Sequence, residues 1–415
     1  MNNEISQNPS KIVLVVGAGA AGLMAAGRLS ERGFYVRLVE KNNMVGKKLM
    51  ITGKGRCNVT SHLDISDFFS QVPKNEKFLY SAFYSFTNLD MIELLKRYGI
   101  ETKVERGERV FPVSDRAKDV VDALESYAVG NRTVLLQDEI QSLCVENGMI
   151  TGAIGKNGRK IDADAVIIAT GGASYPRTGS TGDGYRLAES VGHTIVPIKP
   201  SLVPLVTGEL TKDLMGLSLK NVAITLMDEK NKSVYEDFGE MLFTHFGVSG
   251  PIILSASAHM RTEAKYHLSI DLKPALSEEK LDERILRDFE KYHNKHFVNA
   301  LSDLLPQKLI PYIIERTQIE EHKVVNQITQ KERQTLVDTM KHLTFSIRGV
   351  RPIEEAIVTS GGVSVKEVNP STMESKKVAG LYFAGEVLDV DAYTGGFNLQ
   401  IAFSTGYLAA DSIPI

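Results

Sequence analysis

The segment Gly17-Ala-Gly-Ala-Ala-Gly22, directly behind the apolar run Ile12–Val16, constrains this chain more than any other feature. Lys11-Ile-Val-Leu-Val-Val16 is too short and too uniformly apolar for an amphipathic surface helix, and suits a strand buried on both faces. Gly17 permits a tight turn, Gly19 lets a pyrophosphate approach the backbone, and Gly22 lets the next helix pack against the strand. That helix, read as Ala20–Arg32, aims unpaired N–H groups and its positive dipole end at the phosphates. Gly33 stops it, Tyr35–Val39 forms a second strand, and Glu40 falls where an acid accepts from ribose hydroxyls. Together these residues predict a dinucleotide-binding crossover unit. The fingerprint alone does not separate FAD from NAD(P).

A second informative stretch is Gly46-Lys-Lys-Leu-Met-Ile-Thr-Gly-Lys-Gly-Arg-Cys-Asn58. Gly53 and Gly55 allow the backbone to lie against a flat ring, with Thr52, Arg56 and Asn58 as polar contacts. The bland alternative is a surface loop with two turn glycines. Further on, Ala165-Val-Ile-Ile-Ala-Thr-Gly-Gly172 reads as a buried strand ending in a second close backbone approach. Gly182-Asp-Gly184 opens an amphipathic helix. Residues 77–100 and 115–129 read as helices; Val134–Leu136, Glu139–Val145 and Met149–Ile154 read as strands.

After Pro197 and Pro200 the texture changes. Segments near 202–206, 219–227, 232–236, 239–245 and 266–272 are β-rich with polar turns, which suggests an antiparallel barrel or sandwich. From Ser277 to about His342 the chain is charged, leucine-rich and helical, and β texture resumes at Thr344–Val350. The last section returns to the first style. Leu381–Ala384 is a short buried strand, and Glu386 after it can bond sugar-like hydroxyls. Gly395-Gly396 precede a helix whose N-terminus can face an electron-rich carbonyl or ring nitrogen. The fold class is therefore α/β: a discontinuous Rossmann-like domain (1–196 and 351–415), an inserted antiparallel barrel-like domain (197–276 and 343–350), and a helical insertion within it (277–342).

Bulk properties exclude some classes. Hydrophobic residues make up 43%, charged residues 24% and the net charge is −3, so no basic excess points to nucleic acid. The two cysteines, Cys57 and Cys144, form no CxxC pair and no disulfide framework. Few cysteines and no secretory pattern lead us to expect the cytoplasm. No apolar run reaches the roughly 18–20 residues needed to span a bilayer. Met1–Ser10 is polar and reads as a frayed end. No metal-ligand cluster is evident, and the oligomeric state is not legible.

Taken together, the glycine fingerprint, Ala169-Thr-Gly-Gly172 and Ala384-Gly-Glu386 resemble FAD proteins of the glutathione-reductase-like superfamily. Within it, Gly53-Lys-Gly-Arg-Cys-Asn58, Thr244-His-Phe-Gly-Val-Ser-Gly-Pro251 and Thr394-Gly-Gly-Phe-Asn-Leu-Gln400 resemble the bacterial BaiN-type family, which includes aminoacetone-oxidase-like proteins. The resemblance covers essentially the whole chain and implies one non-covalent FAD. It implies that Gly17, Gly19, Ala20, Ala21 and Gly22 meet the pyrophosphate, and that Glu40, with Lys41 beside it, meets the adenosine ribose. Lys48, Thr52, Gly53, Arg56, Cys57 and Asn58 would line the cofactor's middle and the flavin edge. Ile140 would lie by the adenine through its backbone, with Thr170 and Gly171 near the adenosine. Gly385 and Glu386 would reach the ribityl or pyrophosphate, and Gly396, Asn398 and Leu399 would present the helix N-terminus to the flavin pyrimidine.

A second glycine fingerprint for a separate NAD(P)H domain is absent, as is a redox cysteine pair. NAD(P)H is still compatible as a transient electron donor bound at the substrate face. Candidates for acid–base work are His245, Tyr393, Asp391 and Cys57; the first three have plainer readings beside them, a hydrogen-bonded histidine and two loop-ordering residues. Cys57 has the alternative of a small packing residue. Arg56 and Arg351 are candidate anion anchors for a carboxylate or phosphate, with simple ion pairing favoured for Arg351. The favoured expectation is an FAD-dependent oxidoreductase of a small organic substrate held in a cleft between the FAD and β domains. It would be either a reductase of an activated double bond or an oxygen-using amine or amino-ketone oxidase. Two further readings are an RNA-modifying flavoprotein and an FAD-binding redox sensor.

Overall fold

The computed structural model describes residues 11–209, 211–261 and 264–415; the frayed-end expectation for Met1–Ser10 lies outside them. The described chain divides into two compact units, residues 11–201 with 352–415 and residues 202–351.

The first unit is built on a five-stranded parallel sheet. Its spatial order is Leu381–Phe383, Ala165–Ile168, Ile12–Val16 (β1), Tyr35–Glu40 (β2) and Thr133–Gln137. Val13–Val16 and all of Ala165–Ile168 are buried, as continuous β-branched and aliphatic runs in a doubly covered sheet should be. The helix after β1 spans Ala20–Glu31 (α1). The C-terminal helix, Phe397–Ser412, is buried on nearly every side and packs on α1. Gly406 makes that approach possible, because a Cβ there would lie 2.4 Å from the Ala21 carbonyl oxygen.

Two small antiparallel sheets complete this layer. One joins Ile140–Glu146, Met149–Gly155 and Lys160–Asp162, close to the expected strands. The other, Thr60–Ser61 with Arg109–Pro112 and Thr102–Glu105, was not expected, since its strands are short and half polar. Expected helix 77–100 is divided into Glu76–Leu79, Tyr80–Ser85 and Asn88–Arg97, the last started by a Thr87–Asp90 capping box.

The second unit contains a closed six-stranded antiparallel barrel, ordered Leu205–Thr207, Gly247–Ser249, Ser233–Phe243, Ser218–Asp228, Tyr266–Asp271 and Leu343–Val350. Leu219, Val222, Ile224 and Leu226 alternate inward along one strand. The helices between 278 and 341 do not form a core of their own. Leu281, Ile285, Phe289, Leu336 and Met340 belong to the same apolar cluster as Leu226, Phe243 and Phe345 of the barrel.

The crossing between units falls at Ser201/Leu202 and Arg351/Pro352 rather than at 196/197 and 350/351. Ile195–Ser201 pairs with Val358–Val363, with a register irregularity between Val196 and Lys199 beside Pro197. A strand holding two prolines reads poorly from sequence, because proline removes ladder donors. No helix among the described residues is long and apolar enough to cross a membrane.

Candidate functional site

The glycine turn is assembled as its residue types require. Gly17 has φ +99°, and a Cβ on Gly22 would lie 1.8 Å from the Gly17 carbonyl oxygen, so that helix and turn touch backbone to backbone. A Cβ on Gly19 would meet nothing within 4 Å. The open side of the turn is therefore at Gly19, where the ligand backbone approach was expected. Glu40 closes the unit: its carboxylate accepts from the Ala18 N–H at 2.9 Å and from the Asn42 N–H and side-chain amide at 2.9 and 2.7 Å. Gly17, Glu40, Lys41, Ile140, Thr170 and Asp183 line one groove there. Lys41 reaches across to Asp183 and Thr181, both at 2.5 Å, so its charge is spent on the groove wall. Gly171 has φ +73°, and the buried Thr170 hydroxyl has no partner among the described residues.

The middle of the site joins residues far apart in sequence. Lys48 Nζ lies 2.7 Å from Glu386 Oε2 and donates to Ser174 Oγ at 2.7 Å. Glu386 Oε1 accepts from Ser174 Oγ at 3.1 Å and from the Thr359 N–H at 2.9 Å. Thr359 Oγ1 in turn accepts from the Ala173 and Ser174 N–H groups. Ser174 and Thr359 are fully buried, and neither was expected in the site. Ser174 had a signal, two residues beyond the paired glycines; Thr359 had none that distinguishes it from any strand threonine. Gly385, φ +76°, gives its N–H to Thr405 Oγ1 and rests on Ala21.

The loop through Asn58 is tightly wound. Gly53, Lys54, Gly55 and Cys57 all have positive φ, at 56°, 60°, 85° and 62°. Two of these are not glycine, a concentration of backbone strain found at functional sites. Thr52 Oγ1 donates to the Leu49 carbonyl and the Cys57 N–H donates to the Thr52 carbonyl. Cys57 is fully buried, and burial pushes its thiol up to about 11, with a smaller opposing contribution from Thr52. It is a packing residue with an inert thiol. Arg56 lies 4.2 Å over the Phe111 ring and is paired with Glu105 and with Asp115. These two carboxylates hold the guanidinium that was expected to anchor an anion. The side-chain oxygen of Asn58 is buried without a partner among the described residues.

The C-terminal helix begins at Gly395-Gly396, with φ +132° and +100°. A Cβ on Gly396 would lie 2.5 Å from the Thr60 backbone, so only glycine brings the helix start this close. No side chain caps the helix. The Asn398 side chain is spent on Ala392, with bonds of 2.9 and 2.7 Å, which leaves its main chain and that of Leu399 to present the helix N-terminus. Gln400, fully buried, accepts from Thr60 Oγ1 at 2.8 Å and donates to the Phe86 carbonyl, holding the first turn in place.

The acid–base candidates fall differently. Asp391 is 5% exposed, accepts from Ser201 Oγ at 2.7 Å, and burial raises its carboxyl above the ordinary range. It ties the loop to the Ile195–Ser201 strand, the loop-ordering alternative. Tyr393 is half-buried and its N–H donates to the Gln71 carbonyl. His245 belongs to the second unit, exposed at the turn after Ser233–Phe243, beside the Phe246 ring. Arg351, in the same unit, stacks 4.6 Å over Phe246.

A parallel sheet with a glycine turn at β1, an acid at the end of β2 and a second uncapped helix start near the chain's end define a Rossmann-type FAD-binding flavoprotein. FAD fits the residues present: the turn is open only at Gly19, and two buried polar atoms without partners belong to Thr170 and Asn58. The chain belongs to the HI0933-like family, whose Rossmann domain matches residues 11–412. A ribosomal RNA dihydrouridine synthase of Haemophilus influenzae is 33% identical over 96% of this chain and 98% of its own length. Its counterpart in Escherichia coli is 31% identical over 96% and 97%. A 3-dehydro-bile acid delta(4,6)-reductase of Clostridium scindens is 30% identical over 95% and 97%. Among solved structures, a 3-ketosteroid delta1-dehydrogenase from Sterolibacterium denitrificans shares the fold, with TM-score 0.52, 13% identity, and coverage of 97% of this chain and 99% of that one. The chain is thus an FAD-dependent oxidoreductase.

Proposed function

We propose that this protein is a reductase that saturates a carbon–carbon double bond conjugated to a carbonyl, and that its substrate is a uracil ring in ribosomal RNA. The observation that carries this reading is a shared chemistry among relatives spanning the whole chain. Two are named ribosomal RNA dihydrouridine synthases and one a delta(4,6)-reductase of 3-dehydro bile acids. The uracil double bond is conjugated to a ring carbonyl, as the steroid double bonds are to the 3-oxo group. Either reduction adds a hydride to the electron-poor carbon and a proton to the carbon next to the carbonyl. FAD, when bound, supplies the hydride. The chain's part is orientation and charge. The N-terminus of Phe397–Ser412 offers N–H groups and the positive dipole end, which favour negative charge on the cofactor. Tyr393 and His245 are the candidate proton donors, and NAD(P)H is the proposed source of electrons.

RNA as substrate departs from the expectation drawn from net charge. The −3 sums 48 basic against 51 acidic residues over the whole chain, whereas phosphate neutralisation depends only on the basic side chains at the RNA contact. The test is anaerobic incubation of the FAD-loaded protein with NADH or NADPH and total ribosomal RNA from a strain lacking the gene. Digested nucleosides are then measured by mass spectrometry. Dihydrouridine above the enzyme-free control is expected; its absence while the nucleotide bleaches the flavin absorbance would sink the RNA assignment. A small 3-oxo-enone is the second reading, supported by the bile acid relative, and the same protein would then oxidise NAD(P)H in the presence of a 3-oxo-Δ4 steroid. Failure of both nucleotides to bleach the flavin removes NAD(P)H as donor.

A further inference from the structure

We propose that Phe69, Tyr80 and Tyr84 form a surface platform on which an unpaired RNA base stacks, next to the flavin-facing helix. This deepens the RNA reading above and rests on it. Tyr80 is 62% exposed and Tyr84 49%, and their ring centroids are 4.9 Å apart on successive turns of the Tyr80–Ser85 helix. Phe69 stacks beside both, at 5.8 Å and 26° from Tyr80 and at 6.2 Å and 29° from Tyr84. Single exposed aromatic rings are ordinary, but three in mutual contact, two of them largely in solvent, mark a contact surface. Neither tyrosine hydroxyl is hydrogen-bonded among the described residues, so the rings are not held out to satisfy a polar tip.

Two features favour a nucleobase as the occupant. Lys77, exposed in the turn that leads into the Tyr80–Ser85 helix, lies three residues before Tyr80 and carries no ion pair among the described residues. An aromatic face flanked by a free ammonium meets a base and its phosphate together. The platform is also wired to the helix start through packed rings. Phe69 meets Phe83 at 5.4 Å, Phe83 meets Phe68 at 5.6 Å, and Phe68 meets Phe397, the first residue of the C-terminal helix, at 5.0 Å. The same segment is tied to the loop before that helix by Lys74–Asp389 at 2.8 Å and by the Tyr393 N–H on the Gln71 carbonyl. Reducing a base requires drawing it out of its stack, which strips its neighbours of partners, and an exposed ring platform offers replacement stacking.

The test compares the FAD-loaded wild type with Tyr80→Ala/Tyr84→Ala and Tyr80→Phe/Tyr84→Phe, using the same ribosomal RNA. Three quantities are read: RNA affinity, dihydrouridine yield, and bleaching of the flavin by NAD(P)H without RNA. The alanine pair should bind RNA about tenfold or more weakly, since stacking contributes substantially per base. Yield at subsaturating RNA should fall in step, bleaching should be unchanged, and the phenylalanine pair should match wild type. Wild-type RNA affinity in the alanine pair overturns the platform while leaving the RNA reading intact. Wild type that neither binds nor reduces the RNA overturns both. Unchanged RNA binding together with conversion of a dimer into a monomer assigns the rings to a second copy of this chain, and also overturns the proposal.

Discussion

Lys48 and Glu386, 338 positions apart in the chain, form an ion pair with 2.7 Å between Nζ and Oε2, each side chain about one-fifth exposed. The pair joins the loop after β2 to the segment after the last strand, so the early and late parts of the sequence meet at one pair of charges in the middle of the cofactor site. Ser174 and Thr359 complete the shell around it, and the Glu386 carboxylate accepts from three chain donors.

That geometry makes the two residues energetically dependent on one another. Lys48→Met and Glu386→Gln should each weaken FAD binding about tenfold, or ~1.4 kcal/mol. The double variant should lose less than the sum, with a coupling of about 0.5–1.4 kcal/mol. Isothermal titration of the apoprotein with FAD measures this. Strictly additive losses would mean that the contact does not matter to the cofactor.

Two glycines of one motif should fail for different reasons. Gly22→Ala puts a Cβ against the Gly17 carbonyl oxygen and should cost about 3 kcal/mol of stability with or without FAD. Gly19 has room for a methyl group and an extended φ of −84°, so Gly19→Ala should fold with stability within about 1 kcal/mol of wild type. It should nevertheless bind FAD at least about tenfold more weakly, because the methyl occupies the pyrophosphate side. Urea unfolding of the apoprotein and flavin retention on gel filtration separate the two cases; equal destabilisation by both substitutions would contradict this account.

The thiols should differ in reactivity. With its pKa near 11 and no exposure, Cys57 stays protonated and unreachable at pH 8, whereas Cys144 is half-buried. Native protein should titrate one fast thiol with a disulfide reagent, and denatured protein two. Fast reaction of both in the native state would show that Cys57 is not sealed in.

Acid should weaken the first unit in two windows. His193, buried with Nε2 2.8 Å from Ser375 Oγ, has its pKa lowered below 6.5, mainly by burial, although Glu367 opposes this. The unfolded chain therefore takes up the proton first, and stability present above pH 6.5 declines as pH falls below it. Glu367 is desolvated, yet Lys377 and the Thr194 donors hold it down to about 2. Its contribution is present above about 4.5 and is lost as pH falls toward 2. Melting temperatures from pH 8 to 3 should show both declines, and Glu367→Gln should flatten the lower one. An unchanged lower window in that variant would assign the acid loss elsewhere.

Sequence by itself determined the path of the chain around a dinucleotide. The fingerprint glycines, Glu40, the Ala165–Ile168 strand and the Gly395-Gly396 helix start are short-range features, each dictated by what a turn, a buried strand or a helix terminus demands of a few neighbouring residues. The barrel was legible for the same reason, since strand alternation is local. Only the tertiary structure decided the partners. Arg56 proved to be held by Glu105 and Asp115, Lys41 by Asp183, Asp391 by Ser201, and Ser174 and Thr359 were drawn into the site around Lys48 and Glu386. A charged or hydroxyl side chain carries no record of which distant group will satisfy it, because that choice is made by packing. The shared core of barrel and helices was hidden likewise: periodicity reveals that a helix has an apolar face, but not what that face meets.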